Sequence, residues 1–498
     1  MRRRLPAFSA APSFRLSQRL VVPVVCVSVT FVAIVDGAIT TVALPSIGRQ
    51  FGLSTTELDG VVVVYPVCLA MAIPASAWLV ERFGGKRVLQ TAQAGFLGSS
   101  LLCGAALGIG QLVAYRALQG LSAGVLFPAS TALLFGTFTS AEQIRVSRYM
   151  IVPQQIAPAA APVLGGLLVD DLSWRWVFYV NLPVGLPALL FGALFLADGR
   201  GSRPGRFDLP GLLLSAGGLS TVMFGVCEGP HRGWSSPAIL TALASGAVLL
   251  TAAVAVELRT DQPALRLRLF ADRLFRDTNV INLLGLIPVM GTLYLGPLFL
   301  QQAQGRTALE SGLTTFPEAF GVLLTVQLSG ALYTRVGPRV IVGCGLTGVG
   351  AVLLLFAGCD TGTGLWTFRA LMFLFGAAIG CFFIPTTVAS LATVERADLP
   401  QATMLNTVVR QTGGALAPAV VTTALVLGTP PGAGAVPPLA AYQHSYLALA
   451  AIAAATAVFA FTLPDGPARA AARGAVGHAA GTSGHPAPLR QRRGRVGS

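Results

Sequence analysis

Three charged residues stand inside stretches that otherwise carry no charge. Asp36 lies in VAIVDGAITTVALP, Arg116 in LVAYRALQGLSAGVLFP, and Glu318 follows Pro317 in TTFPEAFGVLLT. A carboxylate in apolar surroundings faces a cavity, a cation or a proton. Burial and a neighbouring arginine act on its proton affinity in opposite senses, which makes Asp36 a candidate proton carrier. The alternative is an acid that only locks its own helix by hydrogen bonding. Arg116 needs a carboxylate or carbonyl partner, and protonation of an acid at its depth would change that pairing. A static ion pair is the alternative. Glu318 has the chemistry to bind a cationic substrate or to take the proton, or it reaches an outer, water-filled vestibule. No other reaction chemistry is legible. The seven cysteines form no C-x-x-C pair, the four histidines have no metal-ligand spacing, and no phosphate-binding G-x-x-x-x-G-K-[ST] occurs. No cofactor is expected.

These charges have to be positioned by membrane helices. Of 498 residues, 54% are hydrophobic and only 11% charged, too few charges to cover a soluble protein of this length. The net charge of +14 would suggest nucleic acid in a soluble chain. Here the arginines sit in short loops and tails, so no nucleic-acid partner is expected. Apolar runs long enough to span a bilayer fall at about 20–46, 57–80, 88–108, 111–136, 148–170, 175–197, 208–227, 236–256, 277–300, 309–332, 339–358, 365–392, 402–427 and 442–463. One set of alternate loops holds Arg82, Lys86, Arg87, Arg145, Arg148, Arg200, Arg203, Arg266, Arg335 and Arg396; the other holds only Arg49, Arg175, Arg232 and Arg306. The positive-inside rule puts the first set, and both termini, in the cytoplasm. On these spans Asp36 lies about nine residues, ~13 Å, from the outer end of its helix, and Arg116 about five residues, ~8 Å. Glu318 matches the depth of Asp36.

The chain also repeats itself. ERFGGKRVL, from Glu81, resembles TRVGPRVIV, from Thr334, with 335 − 82 = 253; Arg116-Ala117-Leu118 and Arg369-Ala370-Leu371 share that offset, 369 − 116 = 253. Six helices with short loops take roughly 200 residues, and the surplus is filled by the two spans within 208–256. The expected organisation is a segment 1–19, a six-helix half over 20–200, an inserted hairpin over 208–256, a second six-helix half over 277–463 and a disordered basic tail over 464–498.

Five stretches make the likeness to a family specific. VDGAITTVALP ends in Ala-Leu-Pro after an acid. The loop after the second span carries Glu81, Arg82, Gly84, Lys86 and Arg87 in the pattern Gly-x-Leu-x-Asp-Arg-x-Gly-Arg-Lys, with Ala77 and Glu81 departing from it. RALQGLSAGVLFP spans Arg116 to Pro128. IAPAAAPVLGG keeps Pro162, Gly165 and Gly166 of an antiporter pattern but has Ala157 and Ala161 for glycines. WRWVFYVNLPVG includes Asn181. The chain thereby resembles the major facilitator superfamily, and within it the fourteen-helix drug:proton antiporters of the EmrB/QacA type.

The resemblance implies an all-α polytopic membrane protein of the major facilitator fold, not an enzyme. It implies export of hydrophobic or cationic drugs or metabolites by alternating access, driven by the proton gradient. A dedicated exporter of one metabolite, a nutrient carrier of the same fold, and a non-transporting sensor or scaffold are the alternatives. Proton coupling is expected at Asp36, Arg116 and Glu318. Gln119, Asn181, Glu318, Arg410 and Gln411 are expected to line a substrate cavity. The Glu81 to Arg87 loop is expected to gate conformational change. The expected setting is the bacterial inner membrane, and an adaptor partner is left open.

Overall fold

The computed structural model describes residues 17–466 apart from 53–58, 139–141, 143–145, 147–156, 158–160, 162–163, 170, 198–207, 261–264, 431–436 and 465. Nearly all of the expected N-terminal segment and basic tail, and much of the expected span 148–170, lie outside these residues. No strand occurs among them.

The helices in chain order are α1 (Gln18–Phe51), α2 (Asp59–Phe83), α3 (Gly85–Gly104), α4 (Ile109–Thr137), α5 (Trp176–Tyr179), α6 (Asn181–Phe195), α7 (Leu209–Arg232), α8 (Pro237–Arg259), α9 (Arg273–Leu298), α10 (Ala308–Thr315), α11 (Pro317–Val336), α12 (Pro338–Ala357), α13 (Leu365–Leu391), α14 (Leu399–Leu427) and α15 (Leu439–Ala460). Within the expected span 148–170, residues 164–169 are helical. Ten stretches among the described residues are helices long and apolar enough to cross a membrane. Three further helices, α3, α11 and α14, occupy expected spans but carry more polar side chains. In α14 no residue from Leu399 to Leu425 is exposed, and its polar side chains are buried or half-buried.

Local chemistry sets the helix starts. Asp208 and Asp272 accept from the backbone N–H groups of Gly211 and Phe275, and Thr307 and Glu310 form a reciprocal capping box, so exposed first-turn donors find acceptors. The start of α3 and the start of α12 use glycine instead. Gly84 and Gly337 have φ of 84° and 88°, a left-handed turn that disfavours any side chain. The offset of 253 is carried by the backbone too. It separates the starts of α3 and α12 (338 − 85), their ends (357 − 104) and the ends of α2 and α11 (336 − 83).

The arginine-rich end of the bundle, where α2 ends and α9 and α14 begin, is called the basic end below. Three apolar clusters fill the interior. One contains only residues from Leu274 onward, and one, around Val35, Ile39, Leu112 and Phe178, only residues up to 178. The third joins the two regions, packing Leu69, Ala77 and Leu134 with Phe275, Leu399 and Met404. It lies toward the basic end. The α7/α8 hairpin sits at the same seam: α7 packs on both α2 and α14, and Trp234 Nε1 donates to Thr423 Oγ1 at 2.7 Å.

Candidate functional site

The first two charges singled out from sequence meet. Arg116 Nη1 donates to Asp36 Oδ2 at 2.6 Å, and the two side chains are 2% and 0% exposed. Gln119, one turn further along α4, donates through Nε2 to Asp36 Oδ1 at 2.9 Å, and its Oε1 accepts from Arg116 at 2.7 Å. Asn181, at the start of α6, donates to Asp36 Oδ1 at 2.7 Å. Ser100 of α3 accepts from both amides, at 2.6 and 3.1 Å. Arg116 lies over the Tyr65 ring at 4.4 Å, so an aromatic face of α2 covers the guanidinium.

Four helices thus supply one sealed network around a single carboxylate. The helix period puts Arg116 and Gln119 on one face of α4. That face can approach α2 because Gly120 and Gly124 leave no room for side chains: a Cβ would lie 2.4 Å from Tyr65 O and 2.3 Å from Leu69 O. Pairing and hydrogen bonding offset the desolvation of both charges, and removing one partner typically costs about 3–5 kcal/mol.

The network also relocates two expected cavity residues. Gln119 and Asn181 are 0% and 1% exposed; their amides are spent on Asp36 and Ser100 and do not line open space. Ser100 and Tyr65 were not legible as site residues, because a serine and a tyrosine in apolar helices carry no signal until a charge is found beside them.

Glu318 stands apart. It is 5% exposed on the first turn of α11, and among the described residues its Oε1 has no hydrogen-bond partner and it takes no part in the Asp36 network. Two hydroxyls at helical spacing before it, Ser311 and Thr314, are likewise buried without hydrogen-bond partners among the described residues. Arg410 and Gln411 lie half-buried on α14, and Arg410 stacks over the Phe383 ring at 4.1 Å.

At the basic end, the expected gating loop touches the far region. Glu81 Oε1 accepts from Gln401 Nε2 of α14 at 3.4 Å. Gln401 Oε1 accepts from the backbone N–H of Arg266 at 3.4 Å, and Arg266 pairs with Asp398. Gly84 makes the turn; Arg82 and Arg87 are exposed and Lys86 half-buried.

Of the antiporter pattern, Pro162 lies outside the described residues. Ala157, Ala161 and Gly165 are buried at intervals of four, and a Cβ on Gly165 would sit 3.0 Å from Ile39 and Val42 of α1. Gly166 faces away, with nothing within 4 Å. The alanines that depart from the pattern therefore still form a small-residue stripe against the helix that carries Asp36.

Comparison with known proteins places this architecture. The family profile of the Major Facilitator Superfamily matches residues 26–418. The chain is 32% identical over 408 residues to the multidrug resistance protein B homolog of Mycobacterium tuberculosis, covering 80% of this chain and 75% of that protein. It is 31% identical over 406 residues to the puromycin resistance protein pur8 of Streptomyces alboniger, covering 80% of each. It is 27% identical over 414 residues to the multidrug export protein EmrB of Escherichia coli K12, covering 81% of this chain and 80% of that one. The crystal structure of the human organic anion transporter MFSD10 shares the fold, with a TM-score of 0.62 at 14% identity, covering 90% of this chain and all of that one. With apolar helices throughout and this match along most of its length, the chain belongs to the Major Facilitator Superfamily and is a multi-pass membrane transporter, not an enzyme.

Proposed function

We propose that the protein is a proton-coupled exporter of small hydrophobic or cationic compounds in a bacterial cytoplasmic membrane, with both termini in the cytoplasm. The relatives named for multidrug and puromycin resistance support export of drugs. The observation that carries the coupling is the sealed Asp36/Arg116 pair. Among the described residues, the three side chains hydrogen-bonded to the Asp36 carboxylate all donate to it. A proton arriving on Asp36 Oδ2 cancels the attraction holding Arg116 and makes that oxygen a donor facing the guanidinium, while Oδ1 can still accept from the Gln119 and Asn181 amides. The four helices that supply these groups are thereby biased toward a second packing, as a population shift requires. The gradient is the energy source, with no cofactor.

On this reading the chain is two six-helix halves joined by the α7/α8 hairpin. The shared apolar cluster and the Glu81 to Gln401 contact close the cytoplasmic end, so the conformation is the one that faces outward. Breaking these contacts is the gating step, a rigid-body rocking of the halves. Glu318, buried with its Oε1 unpartnered among the described residues, is a second carboxylate available to a cationic substrate or a proton.

Reconstitution in proteoliposomes with an imposed pH gradient tests the reading. The wild type should export ethidium when the gradient is applied and stop when it is collapsed. Asp36→Asn should retain ethidium binding and lose gradient-driven export. Unchanged export in that variant would remove Asp36 from the mechanism. Glu318→Gln should weaken export of ethidium more than that of a neutral drug such as puromycin base at high pH.

A further inference from the structure

The arginines of the helices are not treated alike. Arg116 is paired with Asp36, and toward the basic end Arg273 and Arg276 flank the buried Asp277. Arg410 is different. It lies eleven residues past the start of α14, ~16 Å along the axis, at membrane depth, and has no hydrogen bond or ion pair among the described residues. Its guanidinium stacks over the Phe383 ring at 4.1 Å. A guanidinium is always charged and carries five donors, so at this depth it calls for an anion.

Arg410 is half-buried on a helix with no exposed residue from Leu399 to Leu425. Its guanidinium lies beside Phe383 of α13. A second unsatisfied donor lies at the same level. Asn406, one turn before Arg410 on the same face of α14, donates to Asn279 Oδ1 of α9 at 3.2 Å. Asn282 is three residues further along α9, again on the same face. Gly413 of α14 packs on Leu283 O, so the two helices stay in register over this turn. Asn282 is 3% exposed, and among the described residues its Nδ2 has no acceptor. A fixed cation and a buried amide donor, both without acceptors, face the seam between α9 and α14.

We propose that Arg410 and Asn282 form an anion-binding subsite of the transport pathway, and that the substrates include amphiphiles bearing a carboxylate or sulfonate. The Phe383 face beside the guanidinium would take the apolar part. This rests on the transport reading and extends it from cationic to acidic compounds. Charge-assisted bonds from arginine are about twice as strong as neutral ones and fit planar oxyanions, so the subsite should discriminate by charge.

The test is equilibrium binding to the full-length protein in lipid nanodiscs, independent of any proton gradient. Three probes share one naphthalene body: 1-naphthalenesulfonate, its neutral N,N-dimethylsulfonamide and naphthyl-trimethylammonium. The wild type should bind the sulfonate at least about tenfold more tightly than the sulfonamide. Arg410→Gln should lose that preference while leaving sulfonamide binding intact, which also shows that the variant is folded. Arg410→Lys should restore part of it, and Asn282→Leu should weaken sulfonate binding by a smaller factor. A wild type that binds the sulfonate no better than the sulfonamide, or an Arg410→Gln variant with its preference unchanged, overturns the subsite. Asp36→Asn should keep the sulfonate preference while losing gradient-driven export, so failure of proton coupling and failure of the anion subsite are told apart.

Discussion

Two regions of this molecule share a backbone plan and fill it with opposite chemistry. Adding 253 to the numbers of the Asp36 network gives Val289 for Asp36, Leu353 for Ser100, Arg369 for Arg116 and Met372 for Gln119. Val289, Leu353 and Met372 are at most 1% exposed. Around them Phe299, Phe356, Phe368, Phe375 and Tyr446 make a chain of ring contacts. Arg369, the one matching charge, is half-buried over the Trp366 ring. The repeat therefore preserves where helices start and stop, not what they bury. One region holds a charge pair that can change state; in the other the positions matching Asp36, Ser100 and Gln119 are apolar, and its buried carboxylate, Glu318, stands instead at the position of Tyr65, 65 + 253 = 318.

The largest expected effect breaks the pair on its own side. Arg116→Met leaves Asp36 buried with only amide donors, and should cost about 3–5 kcal/mol of stability. The double variant Asp36→Asn/Arg116→Met removes both charges and should recover most of that loss in thermal unfolding, while gradient-driven export stays absent. A double variant no more stable than Arg116→Met would mean that the pair is not the unit the distances suggest.

The next test moves the chemistry into the apolar region. Val289→Asp puts a carboxylate at the repeat position of Asp36. Met372 and Leu353 offer it no hydrogen bond, so the substitution should destabilise by several kcal/mol, in the range of an unpaired buried polar group (about 2–7 kcal/mol). If Arg369 could reach position 289 as Arg116 reaches Asp36, Val289→Asp would be nearly neutral, and Val289→Asp/Arg369→Leu much worse. The comparison predicts that the second change adds little, because Arg369 is already committed to Trp366.

How much of this was legible beforehand follows from the same contrast. Asp36 and Arg116 stood out because charge in an apolar run is rare, and their similar depth already suggested coupling. The repeat was legible at Arg82 and Arg335 because the turn glycine and the loop charges are written at fixed spacing. What could not be read was which face of an all-apolar helix points where, since such helices have no polar side to orient them. Gln119 and Asn181 were therefore placed on a cavity wall when they close around Asp36. Ser100 and Tyr65 were missed, and the bare donors of Arg410 and Asn282 emerged only once their neighbours were known. Ala157 and Ala161 looked like a weakening of the antiporter stripe. Packing shows that they keep it small enough to lie against α1.

The smallest expected effects come from glycines, and they grade the two regions by how rigidly each is packed. A Cβ on Gly376 of α13 would sit 1.9 Å from Glu318 O, a backbone atom of α11. One helix must move, so Gly376→Ala should cost about 1–3 kcal/mol. A Cβ on Gly165 would meet Ile39 Cγ1 and Val42 Cβ at 3.0 Å, contacts that a shift of a few tenths of an ångström in α1 relieves. Gly165→Ala should cost less than Gly376→Ala, but it displaces the helix that carries Asp36, so it should lower gradient-driven export more than it lowers thermal stability. Gly166 has nothing within 4 Å, and Gly166→Ala should stabilise its helix by about 0.5–1 kcal/mol through backbone entropy alone. Unfolding midpoints and export rates for the three alanine variants give the order. If Gly165→Ala lost stability as Gly376→Ala does while keeping full export, the packing of α1 on this stripe would be structural, and the coupling region would be as rigid as its apolar counterpart.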